Sequence, residues 1–278
     1  MLKQRIITGI AMALLFLGGV IWLPLPALAL AFAIAVGLGA WEWARLAGWS
    51  SVFARAAYVA LLLAIMLALY MRIGLGETPA REQVQPFVGL ACLWWSFAVL
   101  WVKSYPASAV IWRSVIMRSA MGLLIMSLAW MSAVYLLSLP RGGVLMVLMV
   151  IIVAAADIGA YFSGKAWGKH KLAPQVSPAK SWEGFWGGMA AVLAIAVVLW
   201  SVLPAQLSHL SLASVLGVCL ITAVASVVGD LTVSMVKRES GAKDSGSLLP
   251  GHGGVLDRLD SLCGAAPVFA LGLLLAGY

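Results

Sequence analysis

VLMVLMVIIVAAADIGAYF, Val144 to Phe162, sets a single acid, Asp157, inside an otherwise uncharged apolar run. A hydrocarbon core about 30 Å thick takes roughly 20 mainly apolar residues to cross, and this run is close to that length. Lipid offers no partner for a backbone N–H or C=O, so a segment this long and continuously apolar is a helix rather than a barrel strand. Comparable runs lie on both sides of it, at Ile6 to Trp22, Ala27 to Trp43, Ala57 to Met71, Phe87 to Val102, Ser119 to Leu137, Trp186 to Leu203, Leu210 to Leu231 and Leu259 to Tyr278. The chain is 63% apolar and only 10% charged, against about a quarter charged in soluble domains. The expected class is therefore all-α: a polytopic integral membrane bundle of about nine transmembrane helices, forming one membrane domain over residues 1–278.

The net charge of +8 could signal nucleic acid, but its distribution gives it another cause. Fifteen of the eighteen Lys and Arg residues fall on alternate connections, leaving Arg72, Arg81 and Arg141 on the other side. Cytoplasmic loops carry this excess, so the amino terminus is expected in the cytoplasm and the carboxyl terminus outside, in the cell's inner membrane, with no nucleic-acid partner. Lys3 and Arg5 before an apolar run also fit a cleavable signal. An uncleaved first span is preferred, because counting it keeps the charge alternation in phase. Cys92, Cys219 and Cys263 sit in separate apolar runs and carry no disulfide or zinc pattern.

The polar residues divide the chain. Before Val144 the acids are Glu42, Glu77 and Glu82, and all the others follow it. Residues 1–143 read as scaffold and 144–278 as the catalytic half. Two stretches there are expected to be long cytoplasmic loops: DIGAYFSGKAWGKHKLAPQVSPAKSWEG, Asp157 to Gly184, and GDLTVSMVKRESGAKDSGSLLPGHGGVLDRLDS, Gly229 to Ser261. Loops of such length in a compact protein are commonly functional.

At the start of the second stretch Asp230, Ser234 and Lys237 recur at helical spacing and share one face, and so do Asp257 and Asp260 farther on. Carboxylates without a His or Cys cluster suit a hard cation, and magnesium typically takes one or two of them plus water and substrate phosphate. Alone, PGHGG, Pro250 to Gly254, reads as a turn. Flanked by Lys237, Arg238, Lys243 and Arg258, its His252, Gly253 and Gly254 become candidates for cradling a triphosphate or pyrophosphate. In SPAKSWEG, Ser177, Lys180 and Ser181 are candidate phosphate ligands where the chain re-enters the membrane. Lys165, Lys169 and Lys171 are read as topological charge, His170 and His209 as loop residues, and the tryptophans as an interfacial belt. Glu42, in WEWARLAG, is expected simply to pair with Arg45.

SMVKRESGAKDSGSLLPGHGGVLDRLD, Ser234 to Asp260, resembles the signature of phosphatidate cytidylyltransferases, the CDP-diacylglycerol synthases, with no departure from it. DIGAYFSGK and KLAPQVSPAKSWEG resemble the family too, so the likeness is strong over the carboxyl-terminal part of the chain and rests on hydropathy before it. The resemblance implies transfer of CMP from CTP to phosphatidic acid, a magnesium requirement, a homodimer, and a polar funnel open to the cytoplasm. It also implies a metal centre on Asp230 and Asp257, with Ser234 and Lys237 as neighbouring functional positions. Asp260 and Asp244 are expected to support the metal, and whether a monovalent cation joins the magnesium stays open. The competing readings are a CTP-dependent lipid kinase acting on a polyprenol-type alcohol and, more remotely, a secondary transporter.

Overall fold

The computed structural model describes residues 2–76, 79–202 and 210–278, with side chains from Ile6 onward. Glu77, Leu203, His209 and the side chains of Lys3 and Arg5 lie outside the described residues. The chain forms α1 (Leu2–Trp22), α2 (Leu25–Ala47), α3 (Val52–Ile73), α4 (Arg81–Lys103), the single turn α5 (Ala109–Trp112), α6 (Val115–Ser138) and α7 (Gly142–Trp167). A hairpin of β1 (Lys171–Ala173) and β2 (Ser177–Ser181) follows, then α8 (Trp182–Val202), α9 (Leu212–Glu239) and α10 (Leu256–Leu275). Among the described residues eight helices are long and apolar enough to cross a membrane, and α1 adds a shorter apolar stretch, Ile6–Trp22. The all-α polytopic membrane class holds.

Two boundaries differ from the sequence expectation, for one reason. A helix continues into water wherever its backbone bonds survive, whereas an apolar window stops at the first charges. Thus α7 runs on to Trp167 and turns the first part of the first expected loop, Asp157 to Trp167, into helix. Most of what remains is the antiparallel hairpin, with Lys171 opposite Ser181 and Ala173 opposite Ser177, and α8 begins at Trp182. Likewise α9 runs to Glu239, past the apolar window that ends at Leu231, and carries Asp230, Ser234 and Lys237 on the one helix face their spacing predicts.

Large side chains such as Leu15, Phe53 and Ile116 are exposed on the outside of the bundle, where lipid replaces water and apolar exposure is not penalised. Without a hydrophobic force between helices, association depends on close backbone packing at small residues. The tightest pairs are α7 with α8 and α9 with α10, and both crossings are lined with glycine. A Cβ on Gly229 would stand 2.5 Å from the carbonyl oxygen of Asp260, and one on Gly264 would overlap the carbonyl of Ala225. That contact sets the Asp230 turn of α9 against the Asp260 turn of α10. Helix α10 also packs on α2, α4, α6 and α7, which makes it the hub of the bundle.

Gly264→Leu is therefore expected to wedge α9 from α10. Overpacking of this kind costs about 1–3 kcal/mol or more. The melting temperature in detergent should fall, and activity should fall further than the loss of folded protein explains.

Candidate active site

The site grows from one face of α9. Asp230 and Ser234 stand one turn apart, and the Ser234 hydroxyl donates to Asp230 Oδ1 at 3.1 Å. The other oxygen of Asp230 meets the ammonium of Lys180 at 2.5 Å, with both side chains 27% exposed. Lys180 reaches it from β2, so the hairpin is folded back onto the helix. Its tip is held there by Arg238, whose Nε donates to the Val176 carbonyl at 3.1 Å.

One turn beyond Ser234, Lys237 donates to Asp257 Oδ1 at 2.7 Å. This pair is far drier, its side chains being 9% and 7% exposed. The second oxygen of Asp257 accepts from the backbone N–H of Ser245 at 2.9 Å and of Gly254 at 3.0 Å. Asp257 thereby ties together α9, the loop between the helices and the start of α10.

Asp260, one turn on, is buried. Its Oδ1 accepts from the neighbouring Ser261 N–H, and its carboxyl lies within electrostatic reach of Asp230, Lys237 and Lys180. Asp157 of α7 belongs to the same group, since Lys180, Asp230 and Arg258 all act on it.

The N-terminus of α10 carries orphan N–H groups that need acceptors, and the acceptor comes from the far end of the chain. Glu42 of α2, only 4% exposed, accepts from Val255 N at 3.1 Å, Leu256 N at 3.0 Å and the Ser245 hydroxyl at 2.7 Å. A carboxylate at this end of a helix is also favoured by the macrodipole. The expected Glu42–Arg45 pair does not form. Arg45 instead donates through Nη2 to the Ser245 carbonyl at 2.5 Å, and a burial-tolerant set of backbone donors satisfies Glu42.

Of the expected phosphate ligands, Lys180 pairs directly with an acid of the cluster and Gly254 donates its N–H to another. Ser181 is buried and its hydroxyl accepts from Gly184 N, which caps α8. Arg258 donates to the His252 carbonyl through Nε at 3.3 Å and Nη2 at 3.0 Å, which braces the PGHGG turn. Gly253 takes a positive φ of 79°, as a turn here demands, and its carbonyl accepts from Leu249 N. His252 Nδ1 is buried without a hydrogen-bond partner among the described residues. Ser177 opens β2, while Lys243 and Asp244 are exposed on the loop. Asp244 stands next to Ser245, whose N–H is tied to Asp257, at the exposed edge of the acid group.

Among the described residues no three His, Cys, Asp or Glu side chains form a ligand set by themselves. Magnesium asks for less, because substrate phosphate and water complete its shell. Asp230 and Asp260 fit that demand: the half-buried Asp230 lies within electrostatic reach of the buried Asp260 across the glycine crossing, and the compensating ammonium groups of Lys180 and Lys237 are on flexible stems. Hard oxygen donors with no sulfur or imidazole among them match the same cation.

Sequence reasoning missed Asp157, Glu42, Arg45 and Ser245. Asp157 had a signal, a lone acid in an apolar run. Glu42 had little, since its partners lie more than 200 residues away.

The fold and the site together define a polytopic membrane protein with acids and lysines gathered at one end of two glycine-packed helices. The family model described as the cytidylyltransferase family matches residues 3–276. A Pseudomonas aeruginosa protein named phosphatidate cytidylyltransferase is 49% identical over all of this chain and 99% of its own length. A Haemophilus influenzae protein of the same name is 37% identical over 97% of this chain and 98% of its own. A Brucella suis protein, again so named, is 46% identical over 48% of this chain and 47% of its own. The chain belongs to the cytidylyltransferase family and is a nucleotidyltransferase.

Proposed function

We propose that the protein transfers CMP from CTP to phosphatidic acid, forming CDP-diacylglycerol and pyrophosphate at the face of α9 and α10 that opens to the cytoplasm. The observation that carries this reading is the meeting of two lysine–aspartate pairs, Lys180–Asp230 and Lys237–Asp257, beside the buried Asp260. The names of the full-length relatives support the substrates.

The phosphate oxygen of the lipid attacks the α-phosphorus of CTP in line. The bond from the α-phosphorus to the bridging oxygen of the β-phosphate breaks, and pyrophosphate leaves with the electron pair. Such a transfer asks the protein for positioning and charge stabilisation more than for covalent help. Asp230, Asp257 and Asp260 would hold magnesium, which when bound supplies charge neutralisation and a template for the phosphates. Lys180 and Lys237 bring cations to the same place, where they offset the repulsion between two anionic substrates and the charge growing on pyrophosphate. Ser234 keeps the Asp230 carboxylate in its rotamer. The acyl chains stay in lipid, while CTP arrives from water.

The direct test supplies purified protein with phosphatidic acid, labelled CTP and magnesium. Label entering the lipid phase with release of pyrophosphate is the expected result. Release of CDP with phosphate on an added polyprenol would instead make the protein a lipid kinase. Charged-group capture of the triphosphate also predicts that the affinity for CTP falls as salt rises from about 0.05 to 0.5 M, because screening shortens the reach of the lysines. Affinity measured by equilibrium binding and found flat across that range would remove Lys180 and Lys237 as phosphate partners.

A further inference from the structure

The amino-terminal half supplies a clamp to the site. Glu42 and Arg45, a turn apart on α2, close on opposite sides of one residue, Ser245: its hydroxyl donates to Glu42 at 2.7 Å and its carbonyl accepts from Arg45 at 2.5 Å. Ser245 is fully buried, and its backbone N–H is spent on Asp257 Oδ2. Glu42 also holds the N–H groups of Val255 and Leu256, which flank the first turn of α10. The chain wraps this carboxylate so tightly that a Cβ at Gly246 or Gly254 would overlap it. Every tie on Asp257 other than Lys237 therefore belongs to backbone that Glu42 fixes.

A buried carboxylate that makes no ion pair among the described residues and is satisfied by the hydroxyl and backbone donors of a distant loop is more than a helix cap. We infer that Glu42 and Arg45 are positioning residues that set the Asp257 carboxylate through Ser245, so that the half of the chain read as scaffold controls catalysis. The inference rests on the function proposed above. Both side chains act through the 240–255 loop rather than on the substrates. Partners that orient ligating carboxylates typically change metal affinity or activity by about 10- to 100-fold when removed.

The test uses the full chain in detergent with Glu42→Gln and Ser245→Ala. Glu42→Gln keeps the shape but turns one acceptor into a donor aimed at N–H groups or the serine hydroxyl. Ser245→Ala leaves the α10 cap intact and cuts only the link from Glu42 to the loop, so it folds even if the first variant does not. Three quantities are read: kcat and KM for CTP, the rise in melting temperature on adding magnesium with CTP, and each of these in an Asp257→Asn background. Expected are a fall in kcat of about 10- to 100-fold for Glu42→Gln and about 3- to 10-fold for Ser245→Ala. The ligand-induced rise in melting temperature should shrink in both. In the Asp257→Asn background neither change should reduce that rise further, because the path they act through is gone.

A variant that melts earlier without ligand yet keeps its kcat and its ligand-induced shift would make Glu42 a structural cap alone and overturn the inference. So would additivity with Asp257→Asn. Wild-type protein that puts no label into phosphatidic acid would sink the proposed function instead, which keeps the two failures apart.

Discussion

Asp257→Asn is expected to lower cytidylyl transfer by about two to three orders of magnitude, the usual effect of removing a preorganised charge from a site of this kind, and to destabilise the fold as well. The second effect follows from burial. Lys237 and Asp257 are 9% and 7% exposed, so the asparagine leaves an ammonium in the dry interior without its counter-charge. Breaking one side of a buried pair costs about 3–5 kcal/mol. The remaining ties are weakened too, since the N–H groups of Ser245 and Gly254 would face an amide in place of a carboxylate. Adding Lys237→Met removes the stranded charge, and the double variant should recover much of the melting temperature while staying inactive. Thermal unfolding in detergent and labelled-CTP incorporation separate the two outcomes. An Asp257→Asn protein with parental turnover would end the assignment of this carboxylate to the reaction.

Asp230→Asn is the second large effect, and its signature differs. The Lys180–Asp230 pair is three to four times more exposed than the inner pair, 27% on each side, so the freed lysine can turn to water. Exposed and half-exposed pairs contribute about 1 kcal/mol or less. Turnover should fall by about 100-fold, as loss of a charged group aimed at the reacting phosphates predicts, with little change in melting temperature. A further reason for stability to hold is that Asp260 then loses its like-charged neighbour. If Asp230→Asn melted far below the parent, Asp230 would be a fold-holding residue, and the reading of its lysine partner as a movable cation would fail.

These two variants bracket what the residues alone could say. The spacing of Asp230, Ser234 and Lys237 placed them on one helix face, and α9 bears that out because 3.6 residues per turn is a local property. Span positions were legible for the same reason: hydrophobic length is written in consecutive residues, and lipid tolerates no alternative to a helix. Termini were less so, since the helices outrun their apolar windows.

Arg238, Arg258 and Ser181 show the limit on site residues. Basic and hydroxyl side chains near a phosphate turn all look like ligands in one dimension. In three, Arg238 and Arg258 brace backbone carbonyls and Ser181 caps a helix. Glu42 marks the opposite error, because an acid beside Arg45 invites a local ion pair until the α10 terminus arrives from elsewhere.

By itself the sequence determined the membrane class, the positions of the apolar spans and the family's carboxyl-terminal motif, each carried by neighbours within a few turns. Only the tertiary structure decided that Lys180 meets Asp230, that Lys237 meets Asp257 and that Glu42 secures the turn before Asp257. The reason is physical: a charge in a dry interior takes whichever partner the packing brings within about 3 Å, and glycine crossings such as Gly229 with Gly264 set that packing.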